Sequence, residues 1–376
     1  MEKTKPATKS TLKSDQMFVN LGPQHPSTHG VLRIGLTLEG EVIVKAEPEV
    51  GYLHRGTEKL CEIRGYPQCV VLSDRWDYVS AMTNNLVFCL ATERLMGVEV
   101  PERAGHLRVV MCELNRIASH LLFLGTYGID LGAFTPFLYA FREREMILDL
   151  FESACGARLT YNYIRLGGVM KDLPKDWMAK CREFLDHFKP RLVEYDELLS
   201  FNPIFLDRTK TVGLVSGAKA LAWGLSGPNL RASGVSYDIR KSEPYCTYGR
   251  YDFEVPTGKD GSCWDRYYCR AREMRESVKI VEQALDMLPE GPTMGKGIAK
   301  IPKPPPGEAY AHIEASRGNL GIYLVSDGNF YPYRVHVRAP SFLNTAILQE
   351  ILIGKKIADV VAILGSIDIV LGEVDR

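Results

Sequence analysis

Apolar and polar residues alternate through residues 31–47 on either side of Glu39-Gly40, and this period of two predicts a β-hairpin. From about residue 78 the period changes. Val79–Met96, Arg108–Leu124, Thr135–Cys155 and Lys175–Leu199 carry apolar residues three and four apart, the spacing of one helix face. Four such segments joined by short Gly/Pro connections predict a helix bundle. Residues 203–262 are richer in Gly, Pro, Tyr and Ser and read as irregular, whereas Trp264–Leu288 is another long amphipathic helix. Pro289–Gly307 is rich in Pro, Gly and Lys, a linker composition. Tyr310–Ile313, Leu320–Val325 and Tyr333–Val337 read as strands, and a helical stretch follows over 341–364. The class is α+β, a central helix bundle with small N-terminal and C-terminal β elements. A polar tail is expected over 1–16 and one domain over 17–376, with a β-rich part at 17–77, the bundle at 78–200 and a mixed part at 201–376.

Composition narrows the field. The 376 residues carry 46 basic and 46 acidic side chains, which gives no support for a nucleic-acid surface or a polybasic membrane anchor. The first sixteen residues have no apolar core and are not a secretory signal. No apolar run reaches the ~18–20 residues of a membrane span. Ile357–Gly372 comes nearest, but Asp359 and Asp368 interrupt it. Nine cysteines are scattered without a C-x-x-C pair, so reduced, mostly buried thiols are expected rather than a disulfide framework or a cysteine-held cluster. Phosphate-cradling, dinucleotide-binding, nucleophile-elbow and H-E-x-x-H motifs are all absent, and the eight histidines are dispersed.

Candidate chemistry concentrates in Gly-Pro-Gln-His-Pro-Ser-Thr-His-Gly, residues 22–30. Pro23 and Pro26 fix φ, and the flanking glycines permit turns, so His25 and His29 sit on a stiff loop and not on a helix face. Such a loop suits presentation of a proton donor, and equally suits histidines that only satisfy nearby backbone.

Further motifs resolve this. They are Gly-Tyr-Leu-His-Arg-Gly-Thr-Glu-Lys (51–59), Asp-Arg-Trp-Asp-Tyr (74–78), Asp-Leu-Gly-Ala-Phe-Thr-Pro-Phe (130–137) and Phe-Arg-Glu-Arg-Glu (141–145). Tyr-Ile-Arg-Leu-Gly-Gly-Val (163–169), Leu-Arg-Ala-Ser-Gly (230–234) and Gly-Glu-Val-Asp-Arg (372–376) complete the series. From about Met17 to Arg376 the chain closely resembles the quinone-site subunit of respiratory complex I, the D-type subunit in bacterial naming. That family is related to the large subunit of nickel–iron hydrogenases, in which two C-x-x-C motifs hold the metal. Here Asp77 and Ser80 stand at the early pair and Val370 and Glu373 at the late pair. A nickel–iron site needs soft thiolates, so hydrogenase activity is not expected.

The resemblance implies that the vacated metal site became the head of a quinone cavity. His29 and Tyr78 match the pair that hydrogen-bonds the headgroup, and Asp130 matches the carboxylate partner of that histidine. A reduced quinone in a low-dielectric cavity needs protons with its electrons, and imidazole and phenol supply them. Without the resemblance, Tyr78 would read as a core tyrosine and Asp130 as a cap or turn residue. Release of Asp130 when His29 loses its proton is the first step this offers toward proton pumping. Arg55 and Arg75 match arginines beside a terminal 4Fe-4S cluster held by a neighbouring subunit. The alternative for them is core pairing with Glu58 or Asp74. His25 is expected to be structural.

The implied assembly is a proton-translocating complex on the cytoplasmic face of the cell membrane. It contains a cluster-bearing small subunit of the B type, a C-type subunit, a ferredoxin-like I-type subunit and an H-type membrane subunit forming the quinone tunnel. No cofactor is expected on this chain alone, and its substrate is a quinone or methanophenazine. Two departures from the family matter. Thr160 stands where many members carry a histidine near the cluster, so a lower, less pH-dependent cluster potential is expected, suited to menaquinone or methanophenazine. The linker at 289–307 is shorter than in most relatives, which suits a complex that takes electrons from reduced deazaflavin or ferredoxin in place of NADH. The competing readings are a structural coupling subunit of a hydrogenase-like membrane complex, without direct carrier reduction, and a scaffold with no redox contact.

Overall fold

The structure, a computed structural model, describes residues 15–24 and 30–376. The expected tail over 1–16 lies almost wholly outside the described residues, and so do both loop histidines, His25 and His29.

Three antiparallel strands open the described chain: β1 (Gln16–Leu21), β2 (Arg33–Glu39) and β3 (Val42–Glu49), in the order β1-β2-β3. The expected hairpin is β2–β3, turning at Glu39-Gly40, where Gly40 takes a φ of 62°. β1 was not expected, because its Gln-Met-Phe-Val-Asn-Leu is too short and too exposed to show a clear alternation. Two short helices follow, α1 (Thr57–Cys61) and α2 (Tyr66–Ser73).

The bundle comprises α3 (Ala81–Met96), α4 (Glu102–Asp130), α5 (Thr135–Cys155) and α6 (Trp177–Tyr195). Periodicity located all four, but α4 runs further in both directions than the expected 108–124. The reason is that α4 is buried nearly all round, so its ends lack the amphipathic stripe that marks a surface helix. Between α5 and α6, β4 (Ile164–Arg165) and β5 (Gly168–Val169) make a small hairpin. Residues 203–262, expected to be irregular, contain four short helices: α7 (Pro203–Thr209), α8 (Gly217–Ala222), α9 (Pro228–Arg231) and α10 (Ile239–Ser242). The long helix α11 (Cys263–Asp286) begins with a capping box, Ser262 and Asp265 bonding each other's backbone.

A second antiparallel sheet follows, β6 (Gly307–Ala315), β7 (Gly318–Ser326) and β8 (Arg334–Arg338), in sequence order. The expected helical stretch over 341–364 is broken. It becomes α12 (Pro340–Ala346), α13 (Leu348–Ile351) and α14 (Asp359–Ile367), with α15 (Leu371–Asp375) after it. Gly354, at a φ of 75°, and the Lys355-Lys356 turn cannot continue a helix, and Ile43 bonds the Lys355 carbonyl there at 2.9 Å. The architecture is α+β, as expected.

The core of the bundle is not wholly apolar. Arg116, Arg231 and Arg240 are buried among Glu113, Asp238, Glu273 and Glu314. Arg231 pairs with Glu273 and, at 2.7 Å, with Glu314; Arg240 meets Asp238 at 2.6 Å and Glu113 at 3.1 Å. His120 bonds Glu273 at 2.8 Å, and burial lowers its pKa, keeping the imidazole neutral. These pairs tie α4, α11, α10 and β6 together. A separate buried pair fixes the β4–β5 hairpin. Arg108 holds both Glu93 oxygens, at 2.5 and 3.0 Å, and donates to the carbonyls of Arg165 and Gly168, while Glu93 accepts the Gly167 N–H at 2.7 Å. All nine cysteines are free thiols and seven are buried; Cys155 is half-buried and Cys246 exposed. Among the described residues no helix is long and apolar enough to cross a membrane.

The Glu93–Arg108 pair gives the first prediction. Glu93→Ala leaves a buried guanidinium without its counter-ion and should destabilise the protein by about 3–5 kcal/mol. Denaturant unfolding, compared with the parent chain, measures it.

Candidate functional site

The Asp-Arg-Trp-Asp-Tyr motif leaves α2 and enters α3 in a tight connection, with Trp76 and Asp77 buried and Tyr78 38% exposed. Tyr78 is therefore not a core tyrosine; its ring flanks a surface. Partial burial, and then the Asp77 charge, hold its pKa above the usual phenol value, so the phenol keeps its proton at neutral pH.

One segment, residues 365–372, touches what the sequence singled out. A Cβ placed on Gly372 would lie 3.2 Å from Tyr78 Cε1 and 2.6 Å from the Trp76 carbonyl oxygen, so only glycine allows this close approach. A Cβ on Gly30, the residue after His29, would meet Leu371 Cδ1 at 2.9 Å. A Cβ on Gly365 would lie 3.2 Å from Asp130 Oδ2. Asp130 is the last residue of α4, half-buried and facing α14. Tyr78, Asp130 and the exit of the histidine loop are thus gathered along eight residues. His29 itself lies outside the described residues.

Arg55 and Arg75 are exposed, and the expected alternative of core pairing does not hold. Arg55 donates through Nη2 to the Arg75 carbonyl, and Arg75 Nη1 bonds the Val71 carbonyl at 2.5 Å. Glu58 is taken instead by Arg334, at 2.9 Å. Both side chains lie on the outside, Arg55 against the backbone of the Asp-Arg-Trp-Asp-Tyr connection and Arg75 against α2. Thr160 lies in a strained loop, with a left-handed φ of 52° there and 44° at Asn162. This loop packs near Asp74, whose carboxyl is buried, and Asn85, the Arg75 charge and the Asn162 backbone offset only part of that burial. Burial pushes the pKa of Asp74 up to about 7.

The positions that hold thiolates in the hydrogenases also meet. Ser80 Oγ lies 2.8 Å from Ser316 Oγ, and Asp77 Oδ2 accepts from Arg317 Nη1 at 2.6 Å. The Val370 N–H points at Ser341 Oγ, 3.4 Å away, and Glu373 Oε2 accepts the Ser341 N–H at 2.9 Å. Between the two pairs lies Arg317, which also donates to Ser119 Oγ at 3.0 Å and to Asp368 at 3.2 Å. A buried cationic side chain with carboxylates around it fills this space. Among the described residues no three His, Cys, Asp or Glu side chains group as a metal site would.

Sequence reasoning missed Arg317, Ser316 and Ser341. Arg317 sits in a two-residue hairpin turn, Ala315 pairing with Gly318. Such tips ordinarily face water. This one is pressed inward because Gly227 and Gly318, both at positive φ, let two backbones approach closely; a Cβ on Gly227 would lie 2.4 Å from Gly318 Cα. The one available signal was two small residues before and after an arginine between strong strands.

The site and fold define a class: an α+β protein in which a carboxylate–guanidinium cluster occupies the space behind a half-exposed tyrosine. Residues 130–303 and 295–376 match the profile described as respiratory-chain NADH dehydrogenase, 49 Kd subunit. The D-type subunit of the NADH-quinone oxidoreductase of Carboxydothermus hydrogenoformans is 54% identical over 364 residues, 97% of this chain and 100% of that one. Its counterpart in Desulforamulus reducens is 55% identical over 365 residues and that in Bacillus anthracis 53% over 365, with the same coverage. The chain belongs to the 49 Kd, D-type subunit family of complex I.

Asp74 provides a prediction about stability. Its carboxyl in the folded chain titrates near 7, above the ordinary 3.8, so between these values the folded state binds more protons than the unfolded. Its contribution is complete below about pH 4 and is lost as pH rises through 7. Asp74→Asn should flatten this decline, measured as unfolding free energies at about pH 5 and about pH 8.

Proposed function

We propose that this chain forms the head of the carrier-reduction site in a proton-translocating, membrane-associated oxidoreductase. The carrier is a quinone or methanophenazine. Its electrons come from a 4Fe-4S cluster in a neighbouring subunit of the B type, and the other partners are of the C, I and H types. The input donor is NADH, reduced deazaflavin or ferredoxin, and the chain lies peripherally on the cytoplasmic side.

One observation carries this reading: the segment 365–372 gathers Tyr78, Asp130 and the residue that follows His29. A phenol that stays protonated, at the edge of a buried charged cluster, is a suitable donor to a quinone oxygen or phenazine nitrogen that gains electrons. His29 is the second donor, so the two protons of the reduced carrier have two sources. Asp130 is the carboxylate that orients the imidazole and becomes freer when the imidazole gives up its proton. The exposed guanidinium groups of Arg55 and Arg75 suit a face toward the partner's cluster, where positive charge favours the added electron.

In the assembled complex, Tyr78→Phe and His29→Ala should each lower carrier reduction by about a hundredfold while leaving subunit content unchanged. Turnover at the parent rate in both variants would leave a scaffold or a structural coupling subunit as the better account. Thr160, which cannot titrate near neutrality, supports a cluster potential that is lower and less dependent on pH. A redox titration at several pH values checks this, and a strongly pH-dependent midpoint would contradict it.

A further inference from the structure

Behind Tyr78 one buried carboxyl has no ion-pair partner among the described residues. Asp77, Asp368 and Glu373 are three buried carboxyls facing two buried guanidinium groups, Arg317 and Arg270. Arg317 takes Asp77 at 2.6 Å and Asp368 at 3.2 Å, and Arg270 Nε lies 3.4 Å from the other Asp368 oxygen. Asp77 also accepts the Val79 N–H at 3.1 Å. Glu373 is left over. It is fully buried, and its Oε2 accepts the Ser341 N–H, while Oε1 has no partner among the described residues.

A buried carboxylate without a cation of its own is costly, and protonation removes the cost. The charged groups acting on Glu373 are Asp77 on the connection between α2 and α3, Arg317 at the hairpin tip and Arg338 on β8. Burial and then the Asp77 charge push its pKa up to about 7, against the pull of Ser341 and Arg317. Its chain neighbour Gly372 packs so close to the Tyr78 ring that a Cβ there would lie 3.2 Å from Tyr78 Cε1. The acid thus belongs to the segment packed against the phenol that the proposed function makes a proton donor.

We propose that Glu373 holds a proton in the resting protein and releases it toward Tyr78 when Tyr78 gives up its own. This rests on the proposed carrier-reduction site. The Tyr78 O–H bond breaks and its proton goes to the reduced carrier, onto a quinone oxygen or a phenazine ring nitrogen. The phenolate then gains the proton lost by the Glu373 carboxyl, which becomes a carboxylate beside Arg317. Asp77 stays paired with Arg317 throughout, and a solvent proton later restores Glu373. Glu373 acts through Tyr78, so it is a positioning and proton-storing residue that does not touch the carrier.

Infrared spectroscopy on the intact complex tests this. The resting parent should show carbonyl stretches of protonated carboxyls, shifted in heavy water, and one component, distinct from that of Asp74, should be absent from Glu373→Gln. That variant keeps an acceptor for the Ser341 N–H, and equal thermal unfolding will show that it folds. That component should diminish when the carrier is reduced, and this loss should vanish in Tyr78→Phe. Carrier reduction by Glu373→Gln should be about tenfold slower and should lack the parent's decline as pH rises through about 7. No protonated band in the resting parent, a band unchanged in Glu373→Gln, or parent kinetics in that variant would overturn the proposal. Parent rates in Tyr78→Phe would instead overturn the carrier site, and the two failures are separable because the resting band is read without carrier.

Discussion

Arg317 reaches from a buried hairpin tip to Asp77 at 2.6 Å and to Asp368 at 3.2 Å, and the surroundings of the candidate site are arranged about that guanidinium. Asp77 lies between α2 and α3, and Asp368 ends α14, so one side chain joins the sheet, the bundle and the C-terminal segment. Removing one partner of so deeply buried a pair would leave an uncompensated charge, and the site therefore tolerates little change there. The glycines that admit the tip and the Tyr78 ring are part of the same constraint. Without Gly227, Gly318 and Gly372 the chain segments could not approach closely enough for the ion pairs to form.

The cluster also gives meaning to the resemblance to the hydrogenase large subunit, because it fills the place where the matching positions carry thiolates there. Two of the four thiolate positions are now carboxylates, Asp77 and Glu373, and one is a hydroxyl, Ser80. Such ligands are hard, and here they are engaged by Arg317, Ser316 and Ser341. A guanidinium with fixed donors takes the central place, and its charge moulds the proton affinity of the groups around it. The chemistry available to this geometry is proton transfer beside a tyrosine.

Much of the fold is legible in the residues because helix periodicity is strong where one face is wet. α5, α6 and α11 fall within a few residues of their expected limits, and so does α3, although it is buried on nearly every face. α4 was cut short because it is buried all round, and 341–364 was read as one helix because its apolar run hides the Gly354 turn. β1 and the short helices of 203–262 are held by tertiary contacts more than by local preference. At the site, the motifs named Tyr78, Asp130, Arg55 and Arg75, and the structure places the first two along one segment and both arginines on the outside. The cluster behind them was not legible. Its members come from positions 77, 270, 317, 341, 368 and 373, and no local pattern records that arginines on a strand turn and on an amphipathic helix will meet inside the protein.

The reach of Arg317 has a consequence for how the chain acquires its structure. Its bond to Asp77 spans 240 positions, whereas the bundle helices pair with near neighbours. Closing so long a loop carries an entropic cost that local helix pairing does not, so the bundle can consolidate before the hairpin tip arrives. Until then the slot that receives the tip exposes buried carboxylates to water, where they are well solvated and ionised. Seating the guanidinium buries those carboxylates, so the candidate site and the long-range pairing form together.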